Sequence, residues 1–292
     1  MARFELADAT AIVTGGSRGI GPHIASALAA RGTRIALVAR SQAQLEANAR
    51  ELAEAGAVVV AIAADVTSRE DRHRIVDTAE RELGPVDVLV NNAGGEPQRQ
   101  FDDLSEREIE DVIELNLTSA VILSRLLLPG MLARERGHVV NVSSMAGRVS
   151  FPHSEPYAAA KDGLIGFTRV LRGDYRRRGV SASTLILGPI RGAGVGARTT
   201  EEIGLDPPPF GATASTVGAA AVRAIVKDKP ELVVMPGPGR TLRSLLDRFP
   251  DAGPRINRIS GVERTMVTVA EFREREAQVA SDRMPEAGAP AA

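Results

Sequence analysis

Tyr157 and Lys161 stand four residues apart in a stretch with helical periodicity, so both side chains share one face of a helix. A free phenol has a pKa of about 10 and exchanges protons poorly near neutral pH. An ammonium alongside favours phenolate and lowers that pKa, which makes the pair a proton donor and acceptor for a carbonyl or an alcohol. The pair also stands out against the composition. The chain has 2 tyrosines, and among its 36 Lys and Arg residues only Lys161, Lys227 and Lys229 are lysine. Ser144 follows the apolar run from His138 to Ser143 and puts a hydroxyl at the carboxyl end of a strand, where open α/β sheets place ligands. That hydroxyl would hold a substrate oxygen next to Tyr157.

A second constellation lies near the beginning of the chain, in Thr14-Gly15-Gly16-Ser17-Arg18-Gly19-Ile20-Gly21. Glycines between a first strand and a first helix let the backbone turn sharply and approach a pyrophosphate seated on the helix N-terminus. Pro22 falls in the first helical turn, where its missing N–H costs little. The Gly15-x3-Gly19-x-Gly21 spacing differs from the GxGxxG of most dinucleotide folds.

These groups require a scaffold, and the hydrophobic pattern supplies one. Short apolar runs (11–14, 34–39, 58–63, 86–91, 138–143, 181–187 and 232–235) alternate with longer helical patterns. That alternation predicts an α/β fold of the Rossmann type, a doubly wound parallel sheet of about seven strands with helices on both faces. Residues 1–240 form the dinucleotide-binding domain with the active site. Within it, the glycine- and proline-rich stretch 188–211 reads as a substrate loop or lid, with Val195, Ile203, Leu205 and Phe210 as apolar lining. Residues 241–275 read as a C-terminal helical extension whose Leu242–Phe249 segment covers the substrate mouth or packs in an oligomer. The Ala-, Glu-, Gly- and Pro-rich residues 276–292 read as a disordered tail.

Composition narrows the function. Hydrophobic residues make up 43% and charged residues 25% of the 292, and the net charge of -1 gives no footprint for nucleic acid. Cysteine is absent, which excludes disulfides, thiolate metal sites and cysteine nucleophiles. His23, His73, His138 and His153 are too scattered for a zinc-type pair, so no metal is expected. No apolar run approaches the ~20 residues of a membrane helix, and the segment 1–8 carries Glu5 and Asp8 rather than a secretion signal. A cytoplasmic protein is expected.

Taken together, Thr14-Gly15-x3-Gly19-x-Gly21, Asn91-Asn92-Ala93-Gly94, Asn116, Ser144 and Tyr157-x3-Lys161 resemble the short-chain dehydrogenase/reductase family, over roughly residues 8–235. The resemblance implies catalysis by Asn116, Ser144, Tyr157 and Lys161. It implies cofactor contacts from Gly15, Ser17, Arg18, Gly19, Ile20 and Gly21, and from Asp65 and Val66 beside the adenine. Asn92, Ala93 and Gly94 would line the adenosine side, Tyr157 and Lys161 the nicotinamide, and Asn116 would help relay protons towards Lys161. It further implies a homodimer or homotetramer acting on a small carbonyl or alcohol substrate. The row departs from the family after the sixth strand. Leu187-Gly188-Pro189-Ile190-Arg191-Gly192 lacks the usual threonine, so Gly188 and Ile190 are left to offer backbone groups to the nicotinamide carboxamide.

The preferred cofactor follows from one position. Readers of the ribose 2′-hydroxyl place an acid about 20 residues past the glycines. Here Ala39 and then Arg40 occupy the end of the second strand, with Arg18 in the glycine turn. Two guanidiniums suit a 2′-phosphate, so NADP(H) is expected over NAD(H). Two alternatives stand beside an NADP-dependent oxidoreductase: a non-catalytic NAD(P)-binding regulatory protein on the same fold, and a lyase or epimerase that uses nicotinamide transiently.

Overall fold

A computed structural model describes residues 4–193, 202–204, 211–236, 249 and 251–282. Seven strands form a parallel sheet: β1 (Thr10–Thr14), β2 (Arg34–Ala39), β3 (Val59–Ala63), β4 (Val88–Asn91), β5 (Gly137–Ser144), β6 (Val180–Leu187) and β9 (Glu231–Val234). Their order is β3-β2-β1-β4-β5-β6-β9, and every neighbouring pair runs parallel. The α/β doubly wound sheet expected from the sequence is the sheet observed. Strands buried on both faces must be apolar throughout, and β1 and β6 are buried at every residue.

Helices cover the two faces. On one lie α1 (Gly21–Ala29), α2 (Gln42–Glu54) and α7 (Ala214–Val226), whose Ile24, Leu28, Leu45, Val217 and Ile225 share a core with Val13, Leu37 and Val90. A Cβ on Gly218 of α7 would lie 2.5 Å from the His23 carbonyl of α1, so glycine sets how closely these two helices pack. On the other face lie α3 (Arg69–Leu83), α5 (Ser119–Ala133) and α6 (Glu155–Tyr175), with Ile75, Leu123, Leu127, Met131 and Leu171 against Ile12, Leu89 and Val139.

Between α4 (Glu106–Ile113) and α5 the chain makes a π-helical turn, Glu114–Thr118, so that 106–133 is helical without a break. By length and composition alone this stretch could cross a membrane. It is instead a core helix, with Leu123, Leu127, Leu128 and Met131 buried in the second core. The turn is centred on Asn116, whose Nδ2 donates to the Val112 carbonyl (2.9 Å). π-Turns of this kind often occur where a helix is shaped for a functional site.

The 188–211 loop is pinned at both ends by a two-stranded parallel sheet of β7 (Ile190–Arg191) and β8 (Ala212–Thr213). Ile203 is half-buried, whereas Val195, Leu205 and Phe210 lie outside the described residues. Leu242, Leu245 and Leu246 also lie outside them, and Phe249 is exposed. Beyond it come α8 (Ala252–Ser260) and α9 (Val262–Asp282). Residues 276–282 are therefore helical rather than part of a tail. Glu, Arg and Ala are good helix formers, and Glu276 pairs with Arg273 one turn earlier.

Candidate active site

The site gathers at the carboxyl edge of β1, β4, β5 and β6, around the point where the strand order reverses beside β1. The glycine turn leaves β1 there. Gly15 and Gly19 have φ of +69° and +68°, a region that disfavours side chains. A Cβ on Gly21 would lie 2.1 Å from the Gly15 carbonyl, so the turn folds on itself only with glycine at that position. Asn92 braces it from the next strand, its Nδ2 donating to the Thr14 carbonyl (2.9 Å). The Thr14 hydroxyl accepts from the Asn92 and Ala93 amides, at 3.0 Å each. Asn48 of α2 braces it from outside, donating to the carbonyls of Gly16 (2.9 Å) and Ser17 (2.8 Å). Sequence reading missed Asn48, because only the fold brings α2 against the turn.

Arg18 and Arg40 are both exposed, and Arg40 follows β2 directly. Arg40 lies 3.9 Å from Asp65 with 74% of its side chain accessible, a loose pair that leaves the guanidinium open to an anion. Asp65 is mostly engaged by Thr67, whose amide (2.9 Å) and hydroxyl (2.7 Å) donate to its Oδ1, and Val66 next to it is buried. The tight glycine turn and the open arginines fit a dinucleotide with an anionic ribose substituent. Gly188 donates its N–H to the Val234 carbonyl (3.1 Å), so that N–H is not free for a carboxamide, and Ile190 is tied into β7.

Ser144, Tyr157, Lys161 and Asn116 converge from β5, α6 and the π-turn. The Ser143 hydroxyl donates to the Lys161 carbonyl (2.8 Å), which fixes the height of α6 against β5. A Cβ on Gly147 would lie 2.7 Å from the Asp162 nitrogen, so glycine lets the turn after Ser144 press against α6. The Ser144 hydroxyl acts on the Tyr157 phenol, favouring its ionised form. Lys161 Nζ lies 5.4 Å from the Tyr157 ring centre and donates to the Val142 carbonyl (3.1 Å). Asn116 Oδ1 accepts from the Gly95 amide (3.2 Å), and its Nδ2 donates to the Gly95 carbonyl (2.7 Å). Gly94 sits between the two groups: a Cβ there would lie 2.7 Å from Asn116 Oδ1 and 3.2 Å from Lys161 Nζ.

The electrostatics differ from the sequence expectation in one respect. Burial, and then the Glu96 carboxylate, hold the Tyr157 phenol above its ordinary value, and the Ser144 hydroxyl offsets this only in part. Burial lowers Lys161 to about 8 against the opposing pull of Glu96. Glu96 was not foreseen. It is pushed up to about 7, first by burial, with the Ser154 hydroxyl and Lys161 pulling the other way.

The C-terminal helices reach the same edge. Asn257 of α8 donates to the Ser150 carbonyl (2.7 Å), and Glu274 of α9 pairs with Arg99 (2.9 Å), which also holds Glu108 (2.5 Å). Thus 251–282 packs on the loops after β4 and β5.

Comparison with known proteins agrees with this architecture. The family model described as short chain dehydrogenase matches residues 9–203. The ketoacyl reductase HetN of Nostoc sp. is 35% identical over 231 residues, covering 78% of this chain and 79% of that protein. The 3-oxoacyl-(acyl-carrier-protein) reductase FabG of Vibrio cholerae is 37% identical over 185 residues, 63% of this chain and 75% of that protein. The crystal structure of a metagenomic short-chain oxidoreductase in complex with NADP superposes with a TM-score of 0.67 at 28% identity, covering 79% of this chain and 98% of that one. The chain belongs to the short-chain dehydrogenase/reductase family. It is an oxidoreductase that interconverts CH–OH and C=O groups with a nicotinamide cofactor.

Proposed function

We propose that the protein is an NADP(H)-dependent carbonyl reductase in which Tyr157 delivers the proton. The observation that carries this is the convergence of Ser144, Tyr157 and the buried Lys161, whose Nζ lies 5.4 Å from the Tyr157 ring centre, with burial disfavouring the phenolate. A proton donor is what reduction needs, since the oxygen of a carbonyl gains negative charge as its carbon is reduced. NADPH, when bound, supplies the hydride. Ser144 orients the substrate oxygen towards Tyr157, Lys161 stabilises the phenolate left behind, and Asn116 holds the Gly95 backbone at the edge of the site. Arg40 and Arg18 take the 2′-phosphate, and the glycine turn from Gly15 to Gly21 takes the pyrophosphate. The same reading makes it a cytoplasmic homodimer or homotetramer, with the exposed Val170 on α6 as part of an apolar face.

Both named relatives that reduce ketoacyl groups are consistent with a carbonyl substrate. The test is NADPH oxidation against a panel of ketones and aldehydes, with the reverse reaction run on the matching secondary alcohols. The reading expects turnover of at least one carbonyl, and a kcat/KM for reduction above that for oxidation at neutral pH. Tight NADPH binding with no turnover of any carbonyl or alcohol would support the non-catalytic regulatory protein instead.

A further inference from the structure

Arg72 of α3 is a buried cation outside the catalytic set. Its side chain is 7% accessible, and a single nitrogen, Nη1, serves three acceptors on two segments. It donates to the Val66 carbonyl (3.0 Å), the Thr67 carbonyl (3.1 Å) and Glu114 Oε1 (2.6 Å). Val66 and Thr67 belong to the loop that leaves β3, whereas Glu114 opens the π-turn, 42 residues beyond Arg72. Arg72 Nε is buried and has no acceptor among the described residues. An arginine at a helix surface would turn that group to water, so the Nη1 contacts hold the side chain in place against this cost.

The two ends of this bridge belong to different halves of the site. The loop end lies at the carboxyl edge of the sheet on the side of Arg40, whose guanidinium is 3.9 Å from Asp65. Asp71 fixes that end from α3, its Oδ2 accepting from the Asp65 amide (2.7 Å). The turn end leads two residues on to Asn116, which holds Gly95 by two bonds. A Cβ on the neighbouring Gly94 would lie 3.2 Å from Lys161 Nζ. Contacts therefore connect Arg40 to Lys161 through Arg72 and Glu114. Charge-assisted bonds of this length resist stretching, so a shift of one segment moves the other.

We infer that Arg72 and Glu114 form a positioning pair that holds the loop at the adenosine end of the cofactor and the π-turn at the catalytic end in fixed relation. This rests on the NADP(H) reading above. The pair acts through Val66 and Thr67 on one side and through Asn116 on the other. Breaking it at the π-turn therefore loosens the loop after β3 as well, although Glu114 is part of neither β3 nor α3.

Glu114→Ala removes the acceptor at the turn end. Adenosine 2′,5′-bisphosphate probes the loop end alone, because it lacks the nicotinamide. Its Kd by calorimetry is expected to rise roughly 5- to 30-fold in the variant. At saturating NADPH, kcat for a carbonyl that the wild type reduces is expected to fall about tenfold, as the turn no longer sets the Gly95 loop. Glu114→Gln keeps an oxygen for Arg72 and returns both quantities to within about threefold of wild type. The double variant Arg72→Leu/Glu114→Ala leaves no buried charge unpaired, and shows the same two losses should the alanine variant fail to fold.

A purely local role for Glu114 would lower kcat and leave the bisphosphate Kd where it was, and that result overturns the inference. So does a raised Kd with kcat unchanged, or a glutamine variant as impaired as the alanine one. Failure of the NADP(H) reading looks different: the wild type itself would not bind the bisphosphate, and the inference would fall with it.

Discussion

Asn116 and Gly95 bond to each other twice, amide to backbone in both directions, at 2.7 and 3.2 Å. The pair ties the π-turn of the core helix to the loop that leaves β4, and a plain α-helix at 114–118 would turn the Asn116 amide elsewhere. Asn116 also donates back to Val112, so its whole amide is used inside the protein. These bonds hold the loop that carries Gly94, Gly95 and Glu96.

Replacing Asn116 with Ala leaves the half-buried Gly95 backbone groups without these partners. A loss of about 1–3 kcal/mol of stability is expected, together with a fall in kcat. Denaturant midpoints and steady-state kinetics measure the two. A variant as stable as wild type would show that the Gly95 bonds contribute nothing.

Cofactor choice turns on Arg40. Arg40→Asp removes a guanidinium and places a carboxylate where a 2′-phosphate would sit. NADPH affinity is expected to fall roughly 10- to 150-fold, with NADH little affected. The measurement is kcat/KM for both cofactors in wild type and variant. A wild type that prefers NADH, or a variant with an unchanged ratio, rules out the 2′-phosphate role.

How much of this was legible in the sequence depended on range. The Tyr157–Lys161 pairing is a property of one helix, and the glycine turn a property of one strand–helix junction, so both could be read from spacing alone. The apolar strand runs carried the seven-stranded sheet for the same reason, since strands buried on both faces need unbroken apolar residues. Glu96 was not legible, because its burial depends on Ser154 and Lys161 arriving from β5 and α6. Nor was the docking of the C-terminal helices, which rests on an Arg99–Glu274 pair 175 residues apart in sequence. The π-turn left only a trace, an asparagine at an interior helix position. Nothing in a 3.6-residue periodicity distinguishes one extra residue in a helical turn.

His138 makes acid sensitivity testable. It is buried, with Nε2 2.8 Å from the Ser183 hydroxyl, and burial lowers its pKa to about 4. An unfolded histidine takes up its proton near pH 6.5, before the folded one does. The neutral buried form therefore contributes stability above pH 6.5 that is lost as pH falls towards 4, on the order of 3 kcal/mol in all. Glu96, raised to about 7, acts in the opposite sense between about 4.5 and 7. Comparison with His138→Asn isolates the histidine: the variant should lose less stability than wild type between pH 6.5 and 4 in denaturant titrations. Parallel pH profiles would exclude this role for His138.

Light scattering at micromolar concentration tests the assembly. A mass of two or four chains is expected, and Val170→Asp on the exposed face of α6 should shift it downwards. A monomeric wild type would remove the oligomer from the account.

The central claim is that Tyr157 supplies the proton, and Tyr157→Phe tests it most directly. The ring and its packing against Val112 and Ala146 remain, and only the hydroxyl is lost. NADPH binding by fluorescence and carbonyl turnover by NADPH oxidation are measured on the same preparation. Cofactor affinity is expected to stay within about twofold of wild type and turnover to fall by about 10²–10⁴-fold. A variant that binds NADPH and keeps more than about a tenth of wild-type turnover would contradict it.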